Sequence, residues 1–263
     1  MRKPVGKEKK LGERIRNAAP VRIIVVSFLL LILLGTLLLT LPFSSQEGAT
    51  DPLNAFFTAT SATCVTGLSV VDTTAHWSAF GQGVILFLIQ LGGLGFSTFA
   101  IGFTLLVRRK LGLRELMLAS ESTGGSALDA VSLMKLMLGF TFFCEALGAG
   151  LLMLRFVPML GTEGIWPAVF VAVSAYCNAG FDILGNVPGN SSMTAFAGDP
   201  LVSLTVSALI IIGGLGFVVV QDIYQCKLLS RFQRKEPARL RFFSQICLRG
   251  TVVLLVLGTL SCL

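Results

Sequence analysis

Long apolar stretches alternate with short polar ones along this chain. Five stretches are apolar almost throughout, and they cover residues 21–41, 80–107, 131–157, 201–224 and 248–263. The first is about 31 Å long at the rise of an α-helix, which is enough to cross the hydrocarbon core of a bilayer. A signal peptide is the rival interpretation, but the run is too long and no small-x-small cleavage site follows it. The pattern therefore predicts an all-α membrane protein with several spans.

Two shorter apolar segments lie between the long ones. Residues 53–62 follow Asp51-Pro52, and the second segment opens at Trp166-Pro167 and reaches about Tyr176. Proline at a first helical position is typical of a helix start, and an acid before it strengthens the signal. Because a helix of about ten residues is too short to span a bilayer, each segment is expected to enter the membrane and return.

The loops that follow the two short segments share a sequence pattern. Residues 61–68 read SATCVTGL and residues 174–181 read SAYCNAGF, so four of eight positions match at an offset of 113. The sequence GGLGF also recurs, at 92–96 and 213–217. Self-similarity of this kind indicates internal repeats.

We therefore predict parallel repeats of helix, pore loop and helix. A basic cytoplasmic tail covers residues 1–20, the first unit residues 21–110 and the second unit residues 131–229. The sequence LGTL at 257–260 repeats residues 34–37, so residues 246–263 are predicted to be the first helix of a third unit. Both units have the same orientation in the membrane and are related by an axis along the membrane normal.

The charged residues predict the orientation. Nineteen of the 21 Lys and Arg residues fall in residues 1–22, 108–114 and 227–249, whereas 42–80 and 156–200 contain none. By the positive-inside rule, the basic segments and the N-terminus are cytoplasmic in a multi-pass protein of the cell membrane. The basic residues that give the net charge of +7 thus set the topology and contact anionic lipid. No nucleic-acid partner is expected.

The two loops are the candidate ion-binding site. Short helices that enter from outside direct the negative ends of their dipoles at mid-membrane, and the returning loops can present backbone carbonyls to a cation. Glycine at 67 and 180 permits the dihedrals this requires. The expected ligands are mainly backbone carbonyls of Thr63, Cys64, Val65, Thr66, Gly67, Tyr176, Cys177, Asn178, Ala179 and Gly180. Loops that are only kinks or plugs without ion traffic are the alternative, which the two aligned copies disfavour.

Carbonyl ligands favour K⁺ over a divalent ion, because a divalent site would use carboxylates and neither loop contains one. The chain has a single histidine, His76, and six cysteines without metal-ligand spacing. Neither an enzyme, nor a resident metal beyond the transported ion, nor a cofactor is therefore expected. A secondary transporter of another solute is a rival, but it would predict inverted repeats.

Four other features have two interpretations each. Glu145 lies mid-span, where an ionisable group is a functional candidate, but a structural carboxylate bonded to a neighbouring helix is favoured. The GGLGF motifs are hinges or, as we favour, sites of tight packing against the short helices. Asp72 and Asp182 attract cations to the mouth of a pore or cap local structure, with neither favoured.

The sequence resembles the Trk/Ktr/HKT superfamily of K⁺ uptake proteins, and most closely the membrane subunit of Ktr-type systems. The stretches that carry the resemblance are TATSATCVTGLSVVDT (58–73), QLGGLGFSTF (90–99), SAYCNAGFDILGN (174–186) and IIGGLGF (211–217). The resemblance implies a K⁺-channel-like pore of four units, with selectivity glycines at 67 and 180. It also implies passive or Na⁺-stimulated K⁺ uptake, a homodimer, and gating by a cytosolic ring of nucleotide-binding regulatory subunits.

The chain departs from the family in its number of units. Two complete units and the start of a third are present, so two of the family's four pore loops are missing. We expect an apparently truncated form, and a non-conducting fragment is the alternative to a conducting pore. A half-pore that pairs with a second copy is a further, less favoured alternative.

Overall fold

The computed structural model describes residues 20–95, 127–185, 192–223 and 242–262. These residues form helices joined by turns and loops, and contain no β-strand. Numbered along the chain, the α-helices are α1 (Pro20–Leu39), α2 (Pro52–Thr63), α3 (Thr73–His76), α4 (Ala79–Leu94), α5 (Ala127–Leu160), α6 (Ile165–Tyr176), α7 (Pro200–Gly214), α8 (Phe217–Ile223) and α9 (Phe242–Cys262). Short 3₁₀ turns occupy Pro42–Ser44, Gly161–Gly164 and Met193–Phe196.

The helices have the apolar character that a membrane requires. In the described part of the chain, two stretches are long and apolar enough to cross a bilayer, Lys135–Tyr176 and Phe242–Ser261. Large apolar side chains on the outside are common, and Leu254 of α9 is 71% exposed. Such surfaces suit lipid rather than water, in agreement with the predicted all-α membrane protein.

The starts of the short helices follow the sequence signals. Asp51 caps α2, because its carboxylate accepts the N–H of Leu53 at 3.2 Å and Pro52 occupies the first helical position. The second short helix, α6, begins at Ile165, so Trp166 and Pro167 lie in its first turn. Both short helices have 12 residues, which is about 18 Å of helix and too short to span a bilayer.

Two predicted long helices are broken at a glycine of positive φ inside their apolar stretches. The helix expected at 80–107 ends at Leu94, where Gly95 has φ of +75°, and residues 96–107 lie outside the described part. The helix expected at 201–224 is divided into α7 and α8 at Gly216, which has φ of +76°. A positive φ is incompatible with a right-handed helix, so hydrophobicity alone overestimated the continuity of both helices.

Buried side chains form two adjoining clusters. The first contains residues of α1, α2 and α4, and the second contains residues of α5, α6 and α7. Phe170 and Val173 of α6 are buried in the first cluster, so this helix packs in both. A hydrogen bond also joins α6 to α4 at this junction, where Trp166 Nε1 donates to Gln82 Oε1 at 2.8 Å.

Candidate functional site

The two predicted loops have the same backbone hydrogen bonds. We call residues 64–68 the first loop and residues 177–181 the second loop; they follow α2 and α6. In the first loop, the N–H groups of Cys64, Val65 and Thr66 donate to the carbonyls of Thr60, Ala62 and Ser61 at 2.9, 3.2 and 2.8 Å. In the second, the N–H groups of Cys177, Asn178 and Ala179 donate to the carbonyls of Val173, Ala175 and Ser174 at 2.9, 3.1 and 2.8 Å. Each donor and acceptor in one loop is 113 residues from its counterpart in the other.

Both loops have residues in the left-handed conformation at the same two positions. In the first loop, Val65 has φ of +56° and Gly67 has φ of +77°. In the second loop, Asn178 has φ of +59° and Gly180 has φ of +75°. A β-branched residue such as valine rarely adopts this conformation, and such strain is concentrated at functional sites.

The two loops meet at their glycines. A Cβ atom added to Gly67 would lie 2.4 Å from the carbonyl oxygen of Ala179. One added to Gly180 would lie 3.7 Å from the Cα atom of Gly67. Because Gly67 faces the backbone of the second loop this closely, no other residue fits there without displacing the loop.

The last carbonyls of the two short helices rest against the GGLGF glycines. A Cβ atom on Gly92 would lie 2.1 Å from the carbonyl oxygen of Thr63. In the second copy, one on Gly213 would lie 1.8 Å from that of Tyr176. These contacts support the packing interpretation of the motif. The motif's last glycine has a positive φ in both copies, so α4 ends before Gly95, and Gly216 separates α7 from α8.

A small cavity of about 140 Å³ adjoins the second loop. Its lining includes Cys177 and Asn178 of that loop, Tyr176 of α6, and the glycines Gly93 and Gly213 of the two GGLGF motifs. The space is enough for several water molecules. The cavity thus borders the second loop and the GGLGF glycines of both copies. Cys177 also packs closely on α4, because a Cβ atom on Gly93 would lie 2.5 Å from its Sγ.

The electrostatics around the loops come from the backbone. Both short helices end at a loop, so the partial negative charges of their C-terminal carbonyls are concentrated there. Asp72 accepts the N–H groups of Thr74 and Ala75 at 2.8 and 2.9 Å, and so caps α3. Asp182 accepts the N–H of Leu184 at 3.2 Å. The capping interpretation therefore describes the contacts of both carboxylates, and in the described ranges no group of three or more His, Cys, Asp or Glu residues is arranged to hold a metal.

Glu145 has the neighbour that a structural role requires. The side chain is 5% exposed, and its Oε1 accepts a hydrogen bond from Gln90 Nε2 of α4 at 2.9 Å. A bond to a neighbouring helix is the expected structural role of Glu145, but its donor, Gln90, was not predicted. Gln90 was detectable as a polar residue inside an apolar helix, because an amide in apolar surroundings needs a hydrogen-bond partner.

Comparisons with known proteins decide the family. Residues 4–263 match the TrkH family, described as cation transport protein. The chain belongs to this family. It is 39% identical over 252 residues to the potassium/sodium uptake protein NtpJ of Enterococcus hirae, covering 94% of this chain and 53% of the relative.

Two further relatives are similar to the same extent. The Ktr system potassium uptake protein B of Bacillus subtilis is 37% identical over 247 residues, which cover 92% of this chain and 52% of the relative. The protein of the same name from Vibrio alginolyticus is 39% identical over 240 residues, which cover 90% and 50%. The chain spans about half the length of the curated relatives it matches. The family is one of transport proteins and not of enzymes, as the resemblance predicted.

Proposed function

We propose that this TrkH-family chain takes part in K⁺ uptake across the cell membrane, and that its two loops are two segments of a selectivity filter. The relatives named for potassium uptake support the ion, and one of them is named for potassium and sodium. Sodium in this proposal is a second transported or stimulating ion. A secondary transporter of another solute would place its site among inverted repeats, whereas the distribution of Lys and Arg predicts the same membrane orientation for both units here.

The observation that carries the proposal is the matching geometry of the two loops. In an extended backbone whose residues all have negative φ, successive carbonyls point to opposite sides. Residues of positive φ at positions 65 and 67, and at 178 and 180, alternate with residues of negative φ. In this proposal, the alternation turns successive carbonyls toward one side. A row of carbonyls on one side is what replaces the water shell of a K⁺ ion.

The proposed ligands are the backbone carbonyls from Thr63 to Gly67 and from Tyr176 to Gly180. The carbonyls of Thr63 and Tyr176 terminate the short helices, where the helix dipole adds negative potential. Their contact with glycine also fixes their positions. A monovalent ion fits this set, because the loops contribute no carboxylate.

The wider architecture in this proposal is a set of parallel units around one pore. The helices α1, α2 and α4 form one unit, α5, α6 and α7 form a second, and α9 begins a third. The N-terminus is cytoplasmic by the positive-inside rule. By family resemblance, the complete assembly is a homodimer gated by a cytosolic ring of nucleotide-binding subunits.

Rubidium uptake tests the proposal directly. Cells that lack their own K⁺ uptake would express either the native gene or a version ending at Leu263, with membrane insertion measured for both. Selective Rb⁺ uptake by the native gene is expected. Uptake by that gene alone makes the shorter version a non-conducting piece, and uptake by both means that half-pores pair. No uptake by either, in spite of insertion and with the regulatory subunit supplied, contradicts the proposed function.

A further inference from the structure

One serine of α6 holds the second loop on both sides of its glycine. The carbonyl of Ser174 accepts the N–H of Ala179 at 2.8 Å. The hydroxyl of the same serine donates to the carbonyl of Phe181 at 2.6 Å. Because Ala179 and Phe181 flank Gly180, a single residue anchors the chain before and after the left-handed glycine. Ser174 is 2% exposed, so water does not compete for these bonds.

The equivalent serine of α2 makes only the first of these bonds. The carbonyl of Ser61 accepts the N–H of Thr66 at 2.8 Å. Its hydroxyl is buried and has no hydrogen-bond partner among the residues that the structure describes. Leu68, which corresponds to Phe181, is 59% exposed, whereas Phe181 is 4% exposed. The two copies therefore share a serine, and only one of them uses its hydroxyl on the loop.

We propose that Ser174 is a positioning residue that makes the second loop the firmly held half of this ion site. The inference rests on the proposed function, because it assigns a role within the filter. The φ angles of Gly67 and Gly180 differ by only 2°, so the extra bond does not create the shape of the loop. It restrains movement of the loop about that shape.

Removal of the Ser174 hydroxyl is expected to disturb the second loop more than removal of the Ser61 hydroxyl disturbs the first. Without the hydroxyl, the carbonyl of Phe181 is left buried without its donor, which is the costly way to break a hydrogen bond. The hydroxyl of Ser61 has no partner to lose, so its removal is close to neutral. In a filter, carbonyls that are held less firmly can close around the smaller Na⁺ ion, and selectivity falls.

The experiment measures the ratio of Rb⁺ to Na⁺ uptake by the native gene product in cells without other K⁺ uptake. Ser174→Ala is the test, and Ser61→Ala is the matched control, because it makes the same change at the equivalent buried position. Ser174→Cys is the second variant, since a thiol keeps most of the volume and is a weak donor. Membrane insertion is measured for each, and the ratio separates a filter defect from lower expression.

Ser174→Ala is expected to lower the ratio about 5- to 10-fold, with Ser61→Ala within about 2-fold of wild type. Ser174→Cys is expected to fall between them. Equal ratios in the two alanine variants, with a selective wild type, overturn the role of Ser174 and leave the proposed function standing. A wild type that is unselective, or that is inactive in spite of insertion and with the regulatory subunit supplied, overturns both. If Ser174→Ala does not insert, Ser174→Cys decides by the same ratio, and failure of both to insert shows a structural role in place of the positioning one.

Discussion

Gly92→Ala tests whether the GGLGF motif holds the end of α2 by direct backbone contact. The new methyl group would begin 2.1 Å from the carbonyl oxygen of Thr63, and contacts under 3.0 Å are essentially never found. The two helices must therefore separate by about 0.9 Å or more at this point. The obstacle is backbone at the end of a helix, so it cannot rotate away as a side chain would.

The expected cost is that of overpacking, about 1–3 kcal/mol. Alanine is also a better helix former than glycine by ~1 kcal/mol, which would partly conceal the loss. Gly83→Ala in the same helix removes this ambiguity, because a Cβ atom at Gly83 meets nothing within 4 Å. The propensity gain is common to both variants, so their difference of about 1–3 kcal/mol isolates the contact with Thr63.

The assay is thermal unfolding of the purified protein in detergent, together with the Rb⁺ to Na⁺ uptake ratio. Gly92→Ala is expected to unfold at a lower temperature than Gly83→Ala and to lose selectivity, because the Thr63 carbonyl is displaced. Gly83→Ala should match wild type in uptake. If the two variants are equally stable and equally selective, the close contact at Gly92 does not exist and the packing argument is refuted.

Three further predictions concern the loops and their supports. Gly67→Ala should lose selective Rb⁺ uptake, while Gly48→Ala should retain it. Both glycines have positive φ, so alanine costs about 1–2 kcal/mol at either position. Only the new methyl group at position 67 would contact the other loop. Equal uptake in the two variants would argue against contact between the loops. Asp72→Asn should keep the half-saturating Rb⁺ concentration of wild type, because asparagine also caps helices. Asp72→Ala should lower the unfolding midpoint, because loss of the cap costs about 1 kcal/mol. A weaker ion affinity in the asparagine variant would show that the charge attracts cations. In a double-mutant cycle on unfolding free energy, Glu145→Leu and Gln90→Leu should couple by about 0.6–1.7 kcal/mol, and additive effects would mean that their hydrogen bond contributes nothing.

Local signals in the sequence were sufficient for the parts of the fold that depend on neighbouring residues. Asp51 and Pro52 mark the start of α2 because capping is decided within one helical turn. Gly67 and Gly180 mark the left-handed turns because only glycine adopts them freely. The family resemblance identified the same loops, and the match to TrkH confirmed the family.

Features that depend on tertiary approach were not predictable in the same way. The break at Gly216 lies inside an uninterrupted apolar stretch, so hydrophobicity gave no sign of it. Ser61 and Ser174 occupy identical positions in the repeat, yet only one hydroxyl reaches a loop carbonyl. That difference accompanies the burial of Phe181, which no local pattern around the serine records.

The most direct measurement of the central claim is the position of bound ions. Crystals of the native gene product grown in Rb⁺ would be examined for anomalous scattering from that ion. We predict Rb⁺ beside the two loops, coordinated by carbonyl oxygens from Thr63–Gly67 and Tyr176–Gly180. Ordered Rb⁺ held elsewhere by side-chain carboxylates, with none at the loops, would contradict it.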